Sequence, residues 1–359
     1  MTIEQFDLDD PAPDEISVRI AATGICRTDL HIRDGDYPIP SFPVIPGHEG
    51  AGIVTAVGSA VTDVAIGDHV LLTYPFCGQC ENCRRGMMAY CEQGFVLSFG
   101  GTRLDGSTGW RRSSDGTSVN GHVFQQSSFA SHTLAAARSA VILDRDLPLD
   151  LAAAFGCGVS TGAGSVLNAM ELHPDSQLVI LGAGTVGLSA LMMAHHLGVE
   201  QIIAVDTNAD RLAIASALGA RHTVNASELE TRDAIQQLTE GGAGYIFDTT
   251  GHPNVVADAL DALAMTGTVV MAGAAPAGAR TSLDMNVLLN GRGVRGTIQG
   301  DADTHQLVPH LIDLYRQGRF PVDSLVSTYP FAEIQRAIAD MDGGRVIKPI
   351  LRMPTNEVP

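Results

Sequence analysis

Lysine is almost missing from this chain: among its 22 basic residues only Lys348 is a lysine, and the rest are scattered arginines. Binding a polyphosphate needs clustered Lys and Arg, and the formal net charge is −18, so nucleic acid is excluded as a partner. No basic amphipathic stretch is present to lie on a membrane surface, and the acidity reads as a solubilising exterior. Long apolar runs are also absent, none approaching the roughly 20 residues that span a bilayer. The opening Met1-Thr2-Ile3-Glu4-Gln5-Phe6-Asp7 has neither the basic region nor the apolar core of a secretory signal. The expected location is therefore the cytoplasm, where thiols stay reduced. Aromatic residues make up only 5% of the chain, but 45% is hydrophobic and 17% charged, the balance of a folded globular protein. At roughly 100–200 residues per domain, the 359 residues allow two domains.

The texture of the sequence changes along its length. Residues 18–21, 52–58 and 67–72 are β-branched or apolar runs bounded by Gly and Pro, and read as short strands. Residues 76–94 carry four cysteines with little apolar periodicity and read as a loop, as does the Gly-, Ser-, Thr- and Arg-rich stretch 98–122. After about residue 158, strand-like and helix-like runs alternate. Strands are expected at 177–181, 201–205, 245–248 and 268–272, with helices at 185–197 and 211–218. Such alternation implies βαβ units and a parallel sheet. Helices are expected again at 306–317 and 331–341, before a last strand at 346–351. The reading is an α/β chain that leaves a β-rich domain, builds a dinucleotide fold and returns to the first domain.

Gly182-Ala183-Gly184-Thr185-Val186-Gly187 fits G-x-G-x-x-G directly after an expected strand and at the start of an expected helix, the context that gives this pattern its force. The first glycine permits the tight turn, the second lets backbone approach a pyrophosphate, and the third lets helix and strand pack closely. The helix N-terminus supplies free N–H groups and a positive dipole end. Asp206 ends the second strand, 19 residues beyond Gly187. An acid there accepts from the ribose hydroxyls of NAD and repels the added phosphate of NADP. Arg211 lies where it could touch the ribose or phosphate, or simply face solvent.

Cys77-x2-Cys80-x2-Cys83-x7-Cys91 puts four thiols within fifteen residues. That spacing lets a loop wrap one tetrahedral zinc ion, and a site of four thiolates is closed and therefore structural. The polar setting of Gly78, Gln79, Glu81 and Asn82 argues against a buried apolar role for these cysteines. Cys26 and Cys157 remain, with His48 between them in Gly47-His48-Glu49-Gly50. Two thiolates and one imidazole would form a three-ligand zinc site with an open fourth position, the catalytic arrangement. Spacing alone does not bring three such distant residues together.

A resemblance carries the reading further. The segment from Gly24-Ile25-Cys26-Arg27-Thr28-Asp29-Leu30-His31 through Gly47-His48-Glu49-Gly50, the four-cysteine loop, Gly156-Cys157-Gly158-Val159-Ser160-Thr161-Gly162, the glycine motif and Pro349-Ile350-Leu351 follow the order found in zinc-dependent medium-chain alcohol dehydrogenases. Residues 98–132, with Gly121-His122-Val123-Phe124-Gln125-Gln126-Ser127-Ser128-Phe129, look most like the aryl (benzyl) alcohol dehydrogenases. The resemblance implies a GroES-like catalytic domain from residues 1–158 and 299–359, with a structural zinc loop at 77–91, and a Rossmann NAD-binding domain at 159–298. It implies two zinc ions per chain: a catalytic ion on Cys26, His48 and Cys157, and a structural ion on Cys77, Cys80, Cys83 and Cys91.

The other site residues follow from the same resemblance. Asp29 would hold the His48 ring from behind, and Glu49 would stand close to the metal and exchange with its bound water. Arg27 would reach the NAD pyrophosphate and Thr161 would line the nicotinamide, beside Gly182, Gly184, Thr185, Val186, Gly187, Asp206 and Arg211. Thr28 and His31 would pass the alcohol proton outward, imidazole being suited to exchange near neutrality. The implied reaction is reversible hydride transfer from a primary alcohol, aromatic or allylic, to NAD, giving the aldehyde. Thr73, Phe124 and Phe129 are candidates for the pocket wall or for ordinary core packing. Relatives form homodimers or homotetramers. They also usually carry a further strand before the point where this chain starts, so either an upstream segment or a trimmed sheet edge is expected. Three rivals share parts of this picture. A zinc-free enone reductase would not need the ligand set. A thiol-dependent formaldehyde dehydrogenase would need a carrier thiol. A nicotinamide-binding redox sensor would bind nucleotide without turnover.

Overall fold

The computed structural model describes residues 1–37, 40–275 and 277–354. The chain divides into two compact units, Met1–Cys157 with Asp303–Pro309 and Asp323–Pro359, and Gly158–Ala302 with His310–Val322.

Strands of the first unit are β1 (Phe6–Leu8), β2 (Glu15–Gly24), β3 (Gly50–Val57), β4 (His69–Leu72), β5 (Trp110–Arg112), β6 (His132–Ala136) and β7 (Ala140–Leu143). Those of the second are β8 (Gln177–Leu181), β9 (Gln201–Asp206), β10 (His222–Asn225), β11 (Ala243–Asp248), β12 (Leu263–Met271) and β13 (Gly293–Gly296). The chain then returns to the first unit with β14 (Val326–Pro330) and β15 (Lys348–Arg352).

The first unit is built on a seven-stranded sheet in the order β14-β15-β2-β3-β4-β7, with β6 also paired to β2. Strand β2 is its centre, and the reason is visible in its residues: Ile16, Val18 and Ile20 are buried while Arg19 is exposed, the period-two pattern of a strand with one core face. Val54, Val70 and Leu72 pack on the same core. Strand β15 runs antiparallel to β2 with Ile350 opposite Gly24, so it delivers the residues just before Ile350 to the segment just after Gly24.

Two stretches expected as loops contain ordered elements. Residues 76–94 include the short helix Glu81–Arg84 and the 3-10 turn Met88–Tyr90. Within 98–122 lies β5, which pairs antiparallel with β1 and buries Trp110 against Phe6, Ile45 and Val119. That pairing joins segments far apart in sequence, so no local alternation announces it. The helix expected at 331–341 begins as a 3-10 turn, Phe331–Glu333, before Ile334–Asp342 becomes α-helical.

The second unit holds a six-stranded parallel sheet in the order β10-β9-β8-β11-β12-β13. Its strands are near-continuous apolar runs, Leu178–Leu181 and Ile202–Val205 being buried throughout, as both faces of a parallel sheet are covered. Strand order reverses at β8, the position where open α/β sheets bind ligands beyond the strand C-termini. Strand β12 starts five residues earlier than expected because a register shift against β11 lets it pair on both sides of Thr266, whose φ is +65°. A left-handed turn at Gln299, Gly300 and Asp301 packs on the helix Gly158–Ala169, where a Cβ on Gly300 would lie 2.7 Å from Gly164 Cα. Among the described residues no helix is long and apolar enough to cross a membrane.

Candidate active site and metal centres

Cys26 ends the β2 segment and caps the helix Arg27–Asp34, which stops at Gly35 in the left-handed conformation (φ 76°). The helix carries Thr28, Asp29 and His31 together. Asp29 is fully buried and accepts three hydrogen bonds: from Cys26 N at 3.0 Å, Gly47 N at 3.1 Å and His48 Nδ1 at 2.8 Å. One carboxylate thus fixes the cap, the turn before His48 and the orientation of its ring, leaving Nε2 to face the other way.

That Nε2 is buried without a hydrogen-bond partner, and so is Glu49 Oε1. Donor atoms of Cys26, His48, Glu49 and Cys157 all lie within 4.8 Å of one another. Orphaned buried polar atoms are costly unless something binds them, and two sulfurs, an imidazole nitrogen and a carboxylate oxygen are a zinc donor set. The residues therefore fit a metal ion. Among the protein groups themselves, the hydrogen bond from Cys157 holds the Cys26 thiol well below its usual range, with His48 adding to the effect. The same bond, with burial, pushes Cys157 well up. Burial disfavours the His48 imidazolium, yet the charge and hydrogen bond of Asp29 carry it well above the usual histidine value.

Lys348, the only lysine, is the residue that sequence reasoning missed. It is 2% exposed, and its ammonium donates to Glu49 Oε2 and approaches Ile25 O at 3.5 Å. Burial pushes the Glu49 carboxyl up against the opposing pull of Lys348. Burial also works against the Lys348 ammonium, but Glu49 and Cys26 raise it above its ordinary value. The signal in the sequence was its rarity: one lysine in a chain that otherwise uses arginine.

The segment after His122 is strained, with φ of +51°, +51° and +44° at Phe124, Gln125 and Ser127. Left-handed backbone at bulky residues marks a segment held by its surroundings. Gln126 supplies part of that hold: its amide donates to His48 O at 3.0 Å and Thr73 O at 3.3 Å, and accepts from Gly50 N at 3.0 Å. The strain places the Phe124 ring on the His48 imidazole, centroids 4.4 Å apart and 24° from parallel. Phe99 meets Phe124 edge-on at 5.4 Å, and Tyr37 meets Phe99 at 4.7 Å. Thr73 and Phe129 are packed otherwise. Thr73 is fully buried and bonded to Ser139 O and Thr304 Oγ1, and Phe129 lies in the cluster with Ile25, Leu30 and Leu351.

The remaining residues of the helix point elsewhere. Thr28 Oγ1 is 3.8 Å from Cys26 Sγ. His31 Nδ1 donates to Asp36 at 2.6 Å and meets Tyr37 edge-on. Arg27 is exposed and ion-paired with Asp342 at 2.6 Å.

The second sulfur group is compact too, with the donor atoms of Cys77, Cys80, Cys83 and Cys91 within 4.8 Å of one another. Backbone amides point at the sulfurs: Cys77 N donates to Cys91 Sγ at 3.2 Å, Cys80 N to Cys77 Sγ at 3.3 Å, and Cys83 N and Glu92 N to Cys80 Sγ at 3.5 Å each. Such donors favour thiolate, and the Glu92 and Cys83 amides draw Cys80 down to about 6. Burial pushes Cys83 up to about 12. Four converging sulfurs with their own N–H donors fit a closed zinc site.

In the second unit the glycine motif sits at the end of β8. Gly182 has φ +96°, and a Cβ on Gly187 would stand 1.9 Å from Gly182 O, so the turn and the helix Thr185–His196 pack with no room for a side chain. A Cβ on Gly184 would meet nothing within 4 Å; the backbone there is open to a ligand. Asp206 at the tip of β9 accepts from Ala183 N at 2.7 Å and Asn208 N at 2.9 Å, tying the glycine turn to the next strand. Arg211 Nε is buried without a partner. Thr161 is buried and reaches Gln299 Oε1 at 3.4 Å.

Comparison with known proteins agrees with this geometry. Residues 12–138 match the alcohol dehydrogenase GroES-like domain family and residues 185–315 the zinc-binding dehydrogenase family. The geraniol dehydrogenase of Castellaniella defragrans is 39% identical over 354 residues, covering 98% of this chain and 94% of that protein. An alcohol dehydrogenase zinc-binding domain protein from Burkholderia ambifaria superposes with a TM-score of 0.95 at 45% identity, over 98% of this chain and 95% of that one. The benzyl alcohol dehydrogenase of Acinetobacter calcoaceticus does so with a TM-score of 0.93 at 39% identity, over 97% and 94%. With both domain families matched in order and relatives of this identity spanning nearly its whole length, the chain belongs to the zinc-dependent medium-chain alcohol dehydrogenases.

Proposed function

We propose that the protein oxidises aromatic and allylic primary alcohols to aldehydes with NAD, and reduces those aldehydes in reverse. The observation that carries this reading is the convergence of Cys26, His48 and Cys157 with two orphaned buried donor atoms, His48 Nε2 and Glu49 Oε1. Cys26, His48 and Cys157 would hold the catalytic zinc, which supplies Lewis acidity that makes an alcohol hydroxyl acidic near neutral pH. Asp29 keeps the His48 ring in one tautomer and one orientation. Thr28, whose Oγ1 is 3.8 Å from Cys26 Sγ, would accept the alcohol proton, and His31 would release it to solvent. Cys77, Cys80, Cys83 and Cys91 would hold the structural zinc.

Asp206 and the Gly182–Gly187 turn support NAD as the coenzyme. The Asp206 carboxylate, already fixed by two backbone amides, suits the two ribose hydroxyls and repels a 2′-phosphate. Thr161 and Arg211 belong to this reading as coenzyme contacts, and so does Arg27 once it leaves Asp342. The aromatic surface of Phe124, Phe99 and Tyr37, beginning on the metal-binding imidazole, supports a planar, unsaturated substrate. The geraniol and benzyl alcohol dehydrogenases among its relatives point the same way. Free thiols at both centres suit a reducing cytoplasm.

Self-association is the third part of the proposal. Strand β13 is an edge of its sheet, and Met265, Met285, Leu289, Val294 and Ile298 are exposed in and around it. An edge strand flanked by apolar side chains favours pairing with a second copy.

The functional test is NADH formation with benzyl, allylic, aliphatic and polyol alcohols, and with formaldehyde in the presence and absence of a carrier thiol. Turnover of benzyl and allylic alcohols without thiol is expected. Turnover of small aliphatic alcohols alone would remove the aryl and allylic assignment, and a strict need for thiol would favour a thiol-dependent formaldehyde dehydrogenase.

A further inference from the structure

Gln125, the neighbour of Phe124, is buried and has left-handed backbone (φ 51°). Its amide nitrogen donates to Thr102 O at 3.0 Å, Leu97 O at 3.3 Å and His122 O at 3.4 Å. Three carbonyls around that point require the amide nitrogen there and not the oxygen. Leu97 O belongs to the last turn of the helix Gly94–Phe99, where carbonyls have no donor within the helix, so Gln125 caps this helix from outside. The helix has little else to hold it. It has only six residues, far short of the length at which a helix is stable on its own. Of its apolar side chains only Leu97 is buried, while Phe95 and Val96 are exposed. Phe99, at its end, meets Phe124 edge-on, centroids 5.4 Å apart and 74° from parallel. Phe124 in turn lies on the His48 imidazole. The two rings make a nearly right-angled corner beside that imidazole, and Gln125 ties its two sides together: Phe99 ends the helix that Gln125 caps, and Phe124 precedes Gln125 in the chain.

We propose that Gln125 is a positioning residue for substrate shape: by capping the helix Gly94–Phe99 it fixes Phe99 against Phe124, and so sets the preference for a flat ring over a saturated one. The proposal rests on the reading of this aromatic surface as the substrate wall. A planar unsaturated ring gains from the face of one aromatic ring and the edge of another only when both are held in place. A thicker, saturated ring has no such geometry to lose. Without the cap, Phe99 is free to withdraw, and the loss falls on the flat substrate.

The test is kcat/KM for benzyl alcohol and for cyclohexylmethanol, which share a carbon skeleton and differ in planarity. The ratio of the two, compared between enzymes, measures discrimination. Gln125→Asn keeps a residue that tolerates left-handed backbone but is one methylene shorter. Gln125→Met keeps the length and removes the donors. Each is expected to lower the benzyl-to-cyclohexyl ratio by roughly 2- to 12-fold, the worth of one hydrogen bond, through KM for benzyl alcohol more than through kcat. In a Phe99→Ala background the same substitutions should leave the ratio where Phe99→Ala alone puts it, because the ring they position is gone. If Gln125→Met does not fold, Gln125→Asn decides. A folded variant with the wild-type ratio overturns the proposal, as does an undiminished effect of the substitution in the Phe99→Ala background. A wild type with no preference for benzyl alcohol over cyclohexylmethanol overturns the aromatic-substrate reading itself, a distinct outcome.

Discussion

His31 and Phe124 show how the proposed function can be tested one side chain at a time. His31 stands on the same helix as Asp29 but turns its Nδ1 to Asp36 on the exterior, a position from which a proton reaches solvent. Replacing it with Gln should slow alcohol oxidation below neutrality by about 10²-fold, the low end of what a positioned acid–base group contributes. Added imidazole buffer should restore part of the rate, and an unchanged pH–rate profile would remove His31 from the relay. Phe124 is proposed to act on the substrate side. Its stacking on His48 is an aromatic contact of about 0.5–1.5 kcal/mol, so Phe124→Ala should lower kcat/KM for benzyl alcohol by roughly 2- to 12-fold. A small aliphatic alcohol should be affected much less, and an equal loss on both would show that Phe124 only supports the fold. The two residues differed in legibility. His31 was singled out by the family resemblance and its three-residue spacing from Thr28, whereas Phe124 had equal claims as wall or core, because its left-handed φ comes from the surrounding Gln126 hydrogen bonds and not from its own preference.

Elements show the same contrast between local and distant information. The four-cysteine loop was readable because its ligands lie within fifteen residues and a tetrahedral ion needs little more than that spacing. The Cys26–His48–Cys157 group needed motif context, since β2, the turn before β3 and the end of the first unit bring its members together only in three dimensions. Lys348 was legible only as a rarity and not as a site residue: the register of β15 on β2 sets its place, and register is a property of the folded sheet. The β1–β5 pair was lost for the same reason.

The structural loop also carries a pH prediction. Cys80 is depressed from the usual thiol value of 9.0 to about 6 by the amides of Glu92 and Cys83. A lowered value means that its thiolate stabilises the loop fully above pH 9 and loses that effect as pH falls through about 6. Because a thiolate must be deprotonated to hold an ion, metal release from this loop should accelerate as the buffer is acidified, as measured with a chromogenic chelator. Cys80→Ser should lose the structural zinc and loosen residues 77–91. A variant that keeps both metals and wild-type protease resistance would contradict the closed-site reading.

At the scale of the whole molecule, the composition is acidic, and Met265, Met285, Leu289, Val294 and Ile298 form an exposed apolar group in and around the β13 edge. Val294→Lys on that strand should place like charges in apposed copies and lower the oligomeric mass seen by light scattering, with secondary structure unchanged. An unaltered mass would place the interface elsewhere. The fold class was legible throughout, since the glycine motif, the alternating elements after residue 158 and the return of the C-terminal strand all follow from periodicity and punctuation. The central claim is that one sulfur–imidazole group performs the chemistry and the other only holds the fold. The most direct measurement compares wild type and Cys157→Ser for NADH formation from benzyl alcohol, with zinc counted in the same samples. The account predicts turnover and two zinc ions per chain in the wild type, and a folded Cys157→Ser that retains the structural zinc but has lost turnover. Undiminished turnover by Cys157→Ser, or a wild type active with no zinc, would contradict it.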